Sequence, residues 1–370
     1  MTTIPGITYL KKPEVATQKD ETELHDAVSR ILTEVARDGD EALKRFSRQF
    51  DHIESSSFEV TAEEIYAARN ACDPQLIEDM RFGIERVRQF AEAQLKTMTE
   101  LDLEAIPGLH LGHRLIPIQR VGCYVPGGRY PLLSSAQMTI IPAKVAGVKE
   151  IVVCTPPNVH PAVLYAAHLS GATRIFRVGG AQAIAAMTYG TDSIPRVDKI
   201  VGPGNRFVNE AKRQVFGFVG IDQLAGPSEI GILADDTADP KVLAADLLGQ
   251  AEHDTDARAI LVTTSREIAE RTMAEVRRQI PLLSTAEVAG AAWQRHGGIV
   301  LCDSEASLIA CSDDLALEHL QVHTKDPNEL ARKLTNYGSL FIGTGASVVF
   351  SDKVAGTNHT LPTRAAARYT

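Results

Sequence analysis

The chain has 370 residues, 44% of them apolar and 23% charged, with a formal net charge of −9. That length suits two or three compact units better than one core. The acidic balance argues against nucleic acid or an anionic membrane surface as the main partner, and no uncharged apolar stretch approaches the ~20 residues of a membrane span.

The opening stretch, MTTIPGITYLKKPE, lacks an apolar signal core, so a cytoplasmic protein is expected. The first hundred residues read as helices. Leu24, Val28, Ile31, Leu32 and Val35 recur at three and four, and Asp38-Gly39-Asp40 breaks the pattern. Thr61 with Glu64 is a capping box that starts another helix. From Pro74, the stripe Ile77, Met80, Ile84, Val87, Phe90 and Leu95 predicts one long helix with a core face and no chemistry.

From about residue 105, short apolar runs alternate with helical stretches. The runs cover 151–155, 174–178, 198–201, 229–234, 259–264, 298–303 and 319–324. This alternation predicts βαβ units and parallel sheets flanked by helices. In such sheets ligands sit beyond the carboxyl ends of the strands, which directs attention to the turns that follow them. Four of those turns carry glycine or proline and then enter a helix: YVPGGRYPLLSS (124–135), VGGAQAIAA (178–186), VGPGNRF (201–207) and LAGPSE (224–229). They suit close backbone approach to a phosphate or another anion, although none is a G-x-G-x-x-G. The cysteines Cys72, Cys123, Cys154, Cys302 and Cys311 form no C-x-x-C pair, and Cys123, Cys154 and Cys302 are expected to be buried and unreactive.

Two groups of residues carry the chemistry. Gln250 and His253 end a helical segment and lie three apart, so on a helix both point from one face, which is half a metal site. Taken alone, the pair reads as a solvated helix face. Downstream come Glu318-His319, then Asp352 and His359. Imidazole titrates near working pH and suits a general base; against that, neighbours on a strand ordinarily face opposite ways. His296 and His323 read as surface histidines.

The stretches CYVPGG, PAKVAGVKEIVVCTPP, VGGAQAIAAMTYGT, VDKIVGPGN, AGPSE, LLGQAEHD, EHLQV and AGTNHTLPT run in order from about residue 120 to 363. Together they resemble the histidinol dehydrogenase family. The resemblance implies an α/β, bilobed fold of two Rossmann-like parallel-sheet halves with an N-terminal helical region. It also implies a homodimer with a shared active site, Zn2+ and NAD as cofactors, and oxidation of a primary alcohol through the aldehyde to a carboxylate in two hydride transfers. By motif, Gln250, His253 and Asp352 become zinc ligands and Tyr124, Gln182 and Asn205 become NAD contacts. Ser228, Gln250, His253, His319, Asp352 and His359 touch substrate, and Glu318 and His319 form the acid-base pair. A further zinc-liganding histidine is expected from a family tail that lies past residue 370. The implied domains are a discontinuous α/β domain of residues 1–122 and 229–359, an inserted Rossmann-like domain at 123–228, and the start of a C-terminal tail at 360–370.

Arg129-Tyr130 in YVPGGRYP and Leu317 before Glu318 depart from the biosynthetic pattern. The GRYP form looks like the branch that includes sulfopropanediol 3-dehydrogenase, which turns 2,3-dihydroxypropane-1-sulfonate into 3-sulfolactate. Arg129 would pair there with an anionic substrate tail; the alternative is that it meets NAD phosphates or solvent. L-Histidinol, with the same chemistry, remains the rival substrate. Two other readings are a catalytically dead NAD- or metal-binding paralogue, and a serine hydrolase built on Ser228, which lacks a G-x-S-x-G elbow.

Overall fold

The computed structural model describes residues 4–14, 18–54, 57–127 and 131–370. Strand β1 (Ile7–Lys11) precedes helices α1 (Gln18–Asp38), α2 (Asp40–Phe46), α3 (Ala62–Asn70) and α4 (Pro74–Leu95), and the hairpin β2 (Leu101–Ile106) and β3 (Leu109–His113). A first alternating run follows: β4 (Arg120–Tyr124), α5 (Leu133–Val145), β5 (Glu150–Thr155), α6 (Pro161–Ser170), β6 (Arg174–Arg177), α7 (Gly180–Tyr189), β7 (Lys199–Val201), α8 (Arg206–Val215) and β8 (Gly220–Ile221). The second run is β9 (Glu229–Ala234), α9 (Pro240–Ala251), β10 (Arg258–Thr263), α10 (Arg266–Gln279), α11 (Ala286–His296), β11 (Gly298–Cys302), α12 (Glu305–Leu315), β12 (His319–His323), α13 (Pro327–Ala331), β13 (Ser339–Ile342) and α14 (Val348–Phe350).

Local chemistry sets many of these bounds. The Thr61 hydroxyl accepts from Glu64 N at 3.3 Å while Glu64 Oε2 accepts from Thr61 N at 2.8 Å, the reciprocal box that starts α3. Asp73 and Asp239 cap α4 and α9, each with proline at the first helical position.

The chain divides into two compact units. The first comprises residues 23–222 and 351–360. Its five-stranded parallel sheet has the order β6-β5-β4-β7-β8, so the winding reverses between β4 and β7. Val28, Ile31, Leu32 and Val35 of α1 pack with Val152, Phe176 and Ile184, whereas Met80 of α4 and Ile140 of α5 pack with Val121, Cys123 and Val153. The helices of residues 23–95 thus cover both faces of this sheet. That corrects the expected division, in which they belonged with the other half: their apolar stripes are matched to strands β4 to β6.

The second unit comprises residues up to 22, 223–350 and 361–370. Its six-stranded sheet has the order β1-β11-β10-β9-β12-β13, parallel except for β1 at one edge. The winding again reverses beside the first strand of the run, β9. Both halves are therefore doubly wound in the same sense, as the resemblance implied. Strand β1 corrects the all-helical reading of the first hundred residues. Residues 361–370, expected to begin a tail, pack into this unit: Thr363 N donates to Leu224 O at 3.1 Å, Gly226 N donates to Thr363 Oγ1 at 2.8 Å, and Thr363 and Ala366 are buried. Among the described residues no helix is long and apolar enough to cross a membrane.

Candidate active site

In the second unit the site grows from the amino ends of β9 and β12. The ladder between these strands begins with His319 opposite Ile230, one residue after β9 itself begins. Glu229 therefore has a main-chain N–H and C=O turned toward β12 with no ladder partner, and buried backbone groups must be satisfied. Two side chains satisfy them. Glu229 N donates to Glu318 Oε2 at 2.8 Å, and His319 Nδ1 lies 3.0 Å from Glu229 O. A carbonyl can only accept, so Nδ1 carries the proton and Nε2 is the basic nitrogen of the neutral ring. Glu318 and His319 are both buried, with Glu318 Oε2 3.5 Å from His319 Nδ1. The pair is thus gathered at one strand end and does not face opposite ways.

Glu229 itself, 1% exposed, is the residue that sequence reasoning missed. Its carboxylate takes a hydrogen bond from Arg258 Nη1 at 2.7 Å and another from Arg364 N at 3.2 Å. A glutamate opening an otherwise apolar run was the one available signal. Ser228 stands immediately before β9, with its carbonyl accepting from Arg258 N at 3.0 Å. A nucleophile elbow follows a strand, so this position excludes the hydrolase reading.

These groups lie at the strand starts, which corrects the expectation that function follows carboxyl ends throughout. The carboxyl-end rule reflects anion binding by helix N-termini. The expected acid-base pair needs instead to be oriented, and unpaired strand-end backbone holds both side chains.

Gln250 lies in the last turn of α9, but the helix ends at Ala251 and His253 follows it in a bend, correcting the placement of both on one helix. His253 N still donates to Gln250 O at 3.2 Å, so its backbone stays tied to that last turn. Gln250 is 4% exposed, and among the described residues its Oε1 has no hydrogen-bond donor. A buried acceptor without a donor fits an oxygen ligand for a cation, and an amide oxygen with imidazole and carboxylate is a donor set zinc accepts. Asp352 lies in a π-helical turn, Ser351–Ala355, of the first unit, and its side chain is outside what is described. Among the described residues no three His, Cys, Asp or Glu side chains form a metal cluster.

In the first unit the expected NAD contacts do follow carboxyl ends. Tyr124 ends β4, Gln182 is in the first turn of α7 after β6, and Asn205 caps α8 after β7. Tyr124 and Asn205 thus flank the reversal of winding, where open α/β sheets bind nucleotides. Gly202 between them has φ +121°, and a Cβ there would collide with the carbonyl oxygen of Tyr124. The buried Tyr124 hydroxyl accepts from Gly180 N at 3.0 Å, and burial pushes its pKa up to about 12, so it keeps its own proton to donate. Asn205 Oδ1 accepts from Phe207 N and Val208 N at 3.0 and 3.1 Å, which leaves its amide N–H2 as the donor. Both turns therefore spend backbone amides internally, at Gly180 N and at Phe207 N and Val208 N.

His359 is half-buried in the first unit, in a turn where Asn358 Nδ2 donates to Met138 O at 3.0 Å. Arg129 lies outside the described residues. His323, read as a surface residue, is 1% exposed at the end of β12, with Nε2 3.1 Å from Gln321 Oε1 and 3.8 Å from Asp246 Oδ2. It alternates with Val322 onto the face that α9 covers. His296 is also half-buried, with its pKa lowered by burial. Cys123, Cys154 and Cys302 are buried as expected, and burial pushes the Cys123 thiol up to about 12.

Residues 15–370 match the family described as histidinol dehydrogenase. The chain is 48% identical over 362 residues to a histidinol dehydrogenase homolog of Shouchella clausii, covering 95% of this chain and 85% of that one. It is 43% identical over 370 residues to the sulfopropanediol 3-dehydrogenase of Ruegeria pomeroyi, covering 98% and 85%. A crystal structure of histidinol dehydrogenase from Elizabethkingia anophelis superposes with a TM-score of 0.89 at 37% identity, covering 97% and 82%.

Proposed function

Because this chain belongs to the histidinol dehydrogenase family, we propose that it oxidises 2,3-dihydroxypropane-1-sulfonate through the aldehyde to 3-sulfolactate. The broader activity is the family's: an NAD-dependent dehydrogenase acting on CH–OH in two steps, with NAD and Zn2+ as cofactors. When bound, NAD is the hydride acceptor and zinc offers a Lewis-acidic seat for the substrate oxygen. Gln250, His253 and Asp352 hold the metal in this proposal, and Tyr124, Gln182 and Asn205 contact NAD. Ser228 and His359 meet the substrate.

The observation that carries the chemistry is the double use of Glu229's backbone. With Nδ1 protonated against Glu229 O, His319 takes the hydroxyl proton of the alcohol at Nε2. Glu318, oriented by Glu229 N–H, draws the proton from the water that adds to the aldehyde carbon. One residue thus sets the direction of both groups, as a two-step oxidation at one carbon requires.

The sulfonate rests on Arg129 in GRYP, whose guanidinium suits an anionic tail, and on the relative named sulfopropanediol 3-dehydrogenase. The second reading, L-histidinol to L-histidine, is favoured by the likeness to the histidinol dehydrogenase of known structure. Family membership also supports a homodimer with a shared active site and a cytoplasmic location.

The test is NADH formed per substrate by zinc-loaded protein, with 2,3-dihydroxypropane-1-sulfonate and L-histidinol side by side. Two NADH from the sulfonate and none from histidinol is the expected result, and two from histidinol alone would return the chain to histidine synthesis. Arg129→Ala is expected to cripple turnover of the sulfonate while NAD binding persists; unchanged kinetics would sink the role given to Arg129.

A further inference from the structure

Behind the glycine turn that leads from β7 into α8 lies an ion pair that the chemistry above does not use. Lys212, on α8, is 1% exposed. Its Nζ donates to Gly202 O at 2.9 Å and pairs with Asp222 Oδ1. The other carboxylate oxygen, Asp222 Oδ2, accepts from Gly202 N at 2.7 Å. One ion pair therefore holds both main-chain polar groups of one residue. That residue sits at φ +121° against the Tyr124 carbonyl and begins the turn Gly202-Pro203-Gly204-Asn205.

Burying an ammonium is costly, and an apolar pair of similar volume usually packs a fold as well or better. What no apolar side chain supplies is a donor for the Gly202 carbonyl. The ladder supplies it no main-chain donor, since β8 pairs with β7 only as far as Ile200 opposite Ile221. The turn thus leaves the sheet exactly where the ladder stops, and the ion pair takes over the job of fixing its peptide plane.

We propose that Lys212, together with Asp222, is a positioning residue for the dinucleotide: it holds the Gly202 peptide so that the 202–205 turn presents Asn205 beside the end of β4. The inference rests on the reading of this sheet edge as the NAD site. A preorganised turn binds without the cost of ordering itself, so loss of the pin appears in cofactor affinity and not in the chemical step.

The test replaces the pair by the neutral Lys212→Met/Asp222→Asn, because removing one ion of a buried pair alone can unfold the protein. Asn still accepts from Gly202 N–H, so the variant isolates the lost Nζ contact and the charge. Titration with NAD+ and steady-state kinetics of the full chain are expected to show Kd and KM for NAD+ raised about tenfold. At saturating NAD+ kcat is expected to stay within about twofold, and the cofactor-free thermal midpoint to change little, the relief of charge burial offsetting the donor lost by Gly202 O. Unchanged NAD+ affinity would overturn the proposal, as would a lowered midpoint with kcat and KM worsening together, the mark of a merely structural role. Asn205→Asp keeps the helix cap and removes the amide donor. If Asn205→Asp weakens NAD+ binding and the pair variant does not, only the positioning role fails; if neither does, the reading of this edge fails with it.

Discussion

Gln250 offers the sharpest test of the metal site, because its two states are predicted to respond in opposite directions. Its Oε1 is buried and has no donor among the described residues. Desolvating such an oxygen without a partner costs about 1–3 kcal/mol, all of it borne by the metal-free fold. Methionine has nearly the same volume and no hydrogen-bonding demand. Gln250→Met should therefore stabilise chelator-stripped protein by about 2 kcal/mol, roughly 4–8 °C in the midpoint for a unit of this size. Zinc reverses the order. At a hundred times its Kd a ligand of the native state adds about 2.7 kcal/mol, and the variant, one oxygen ligand short, gains less. The assay is thermal unfolding of both proteins after dialysis against a chelator, then across a zinc series. A variant less stable than wild type without metal would refute the orphan-oxygen argument, and equal gains from zinc would remove Gln250 from the ligand set.

Burial lowers the pKa of His323, so the folded protein resists the proton that the unfolded chain accepts near pH 6.5. Its contribution to stability is present above that value and is lost as pH falls toward the folded pKa; Asp246 beside it, raised by burial, acts with the opposite sign, favouring the fold at acid pH and losing that effect as pH rises. His323→Gln should flatten the loss of stability between about pH 7 and 5 in denaturant titrations, and an unchanged slope would show that His323 does not carry it. Glu229→Gln removes the charge facing Arg258, which is 27% exposed, so the cost should be about 1–2 kcal/mol and not the full value of a buried pair. The backbone that orients Glu318 and His319 is untouched, so kcat should fall only a few-fold; a loss beyond a hundredfold in folded protein would mean the carboxylate itself takes part in the chemistry.

Much of the fold was legible because its strands are buried on both faces. IVVC in β5, EIGILA in β9 and GIVLC in β11 are continuous apolar runs bounded by turn residues, the form a central parallel strand must take. Of the strands outside the runs named from sequence, β4 is central and buried but broken by Gly122, β13 is a partly exposed edge, and the others lack the pattern altogether. β1 is an edge strand with a register shift between Tyr9 and Lys11, the β2–β3 hairpin is exposed along its length, and β8 spans only Gly220–Ile221. The domain division was misjudged for a related reason. The stripe of α1 declares that it is buried but does not name the sheet that buries it, and Val28 shares a core with Phe176, well over a hundred residues further along the chain.

The candidate site could be read from the sequence as a set of residues but not as geometry, and Glu229 shows why. Nothing in EHLQV or GPSEIG records that β12 joins β9 one residue after β9 begins, yet that offset is what frees a backbone N–H and C=O for Glu318 and His319. Had the ladder started at Glu229, those groups would be spent on β12 and the two side chains would alternate across the sheet. The same logic operates at the other sheet, where the β7–β8 ladder ends before Gly202 and a buried lysine and aspartate take up the released groups. In both sheets side chains take up the first main-chain groups that the ladder leaves unsatisfied, Glu318 and His319 at Glu229 and Lys212 and Asp222 at Gly202. Register, a property of two strands at once, decides where that position falls, which is why a motif can name the residues while the backbone that aims them stays out of sight.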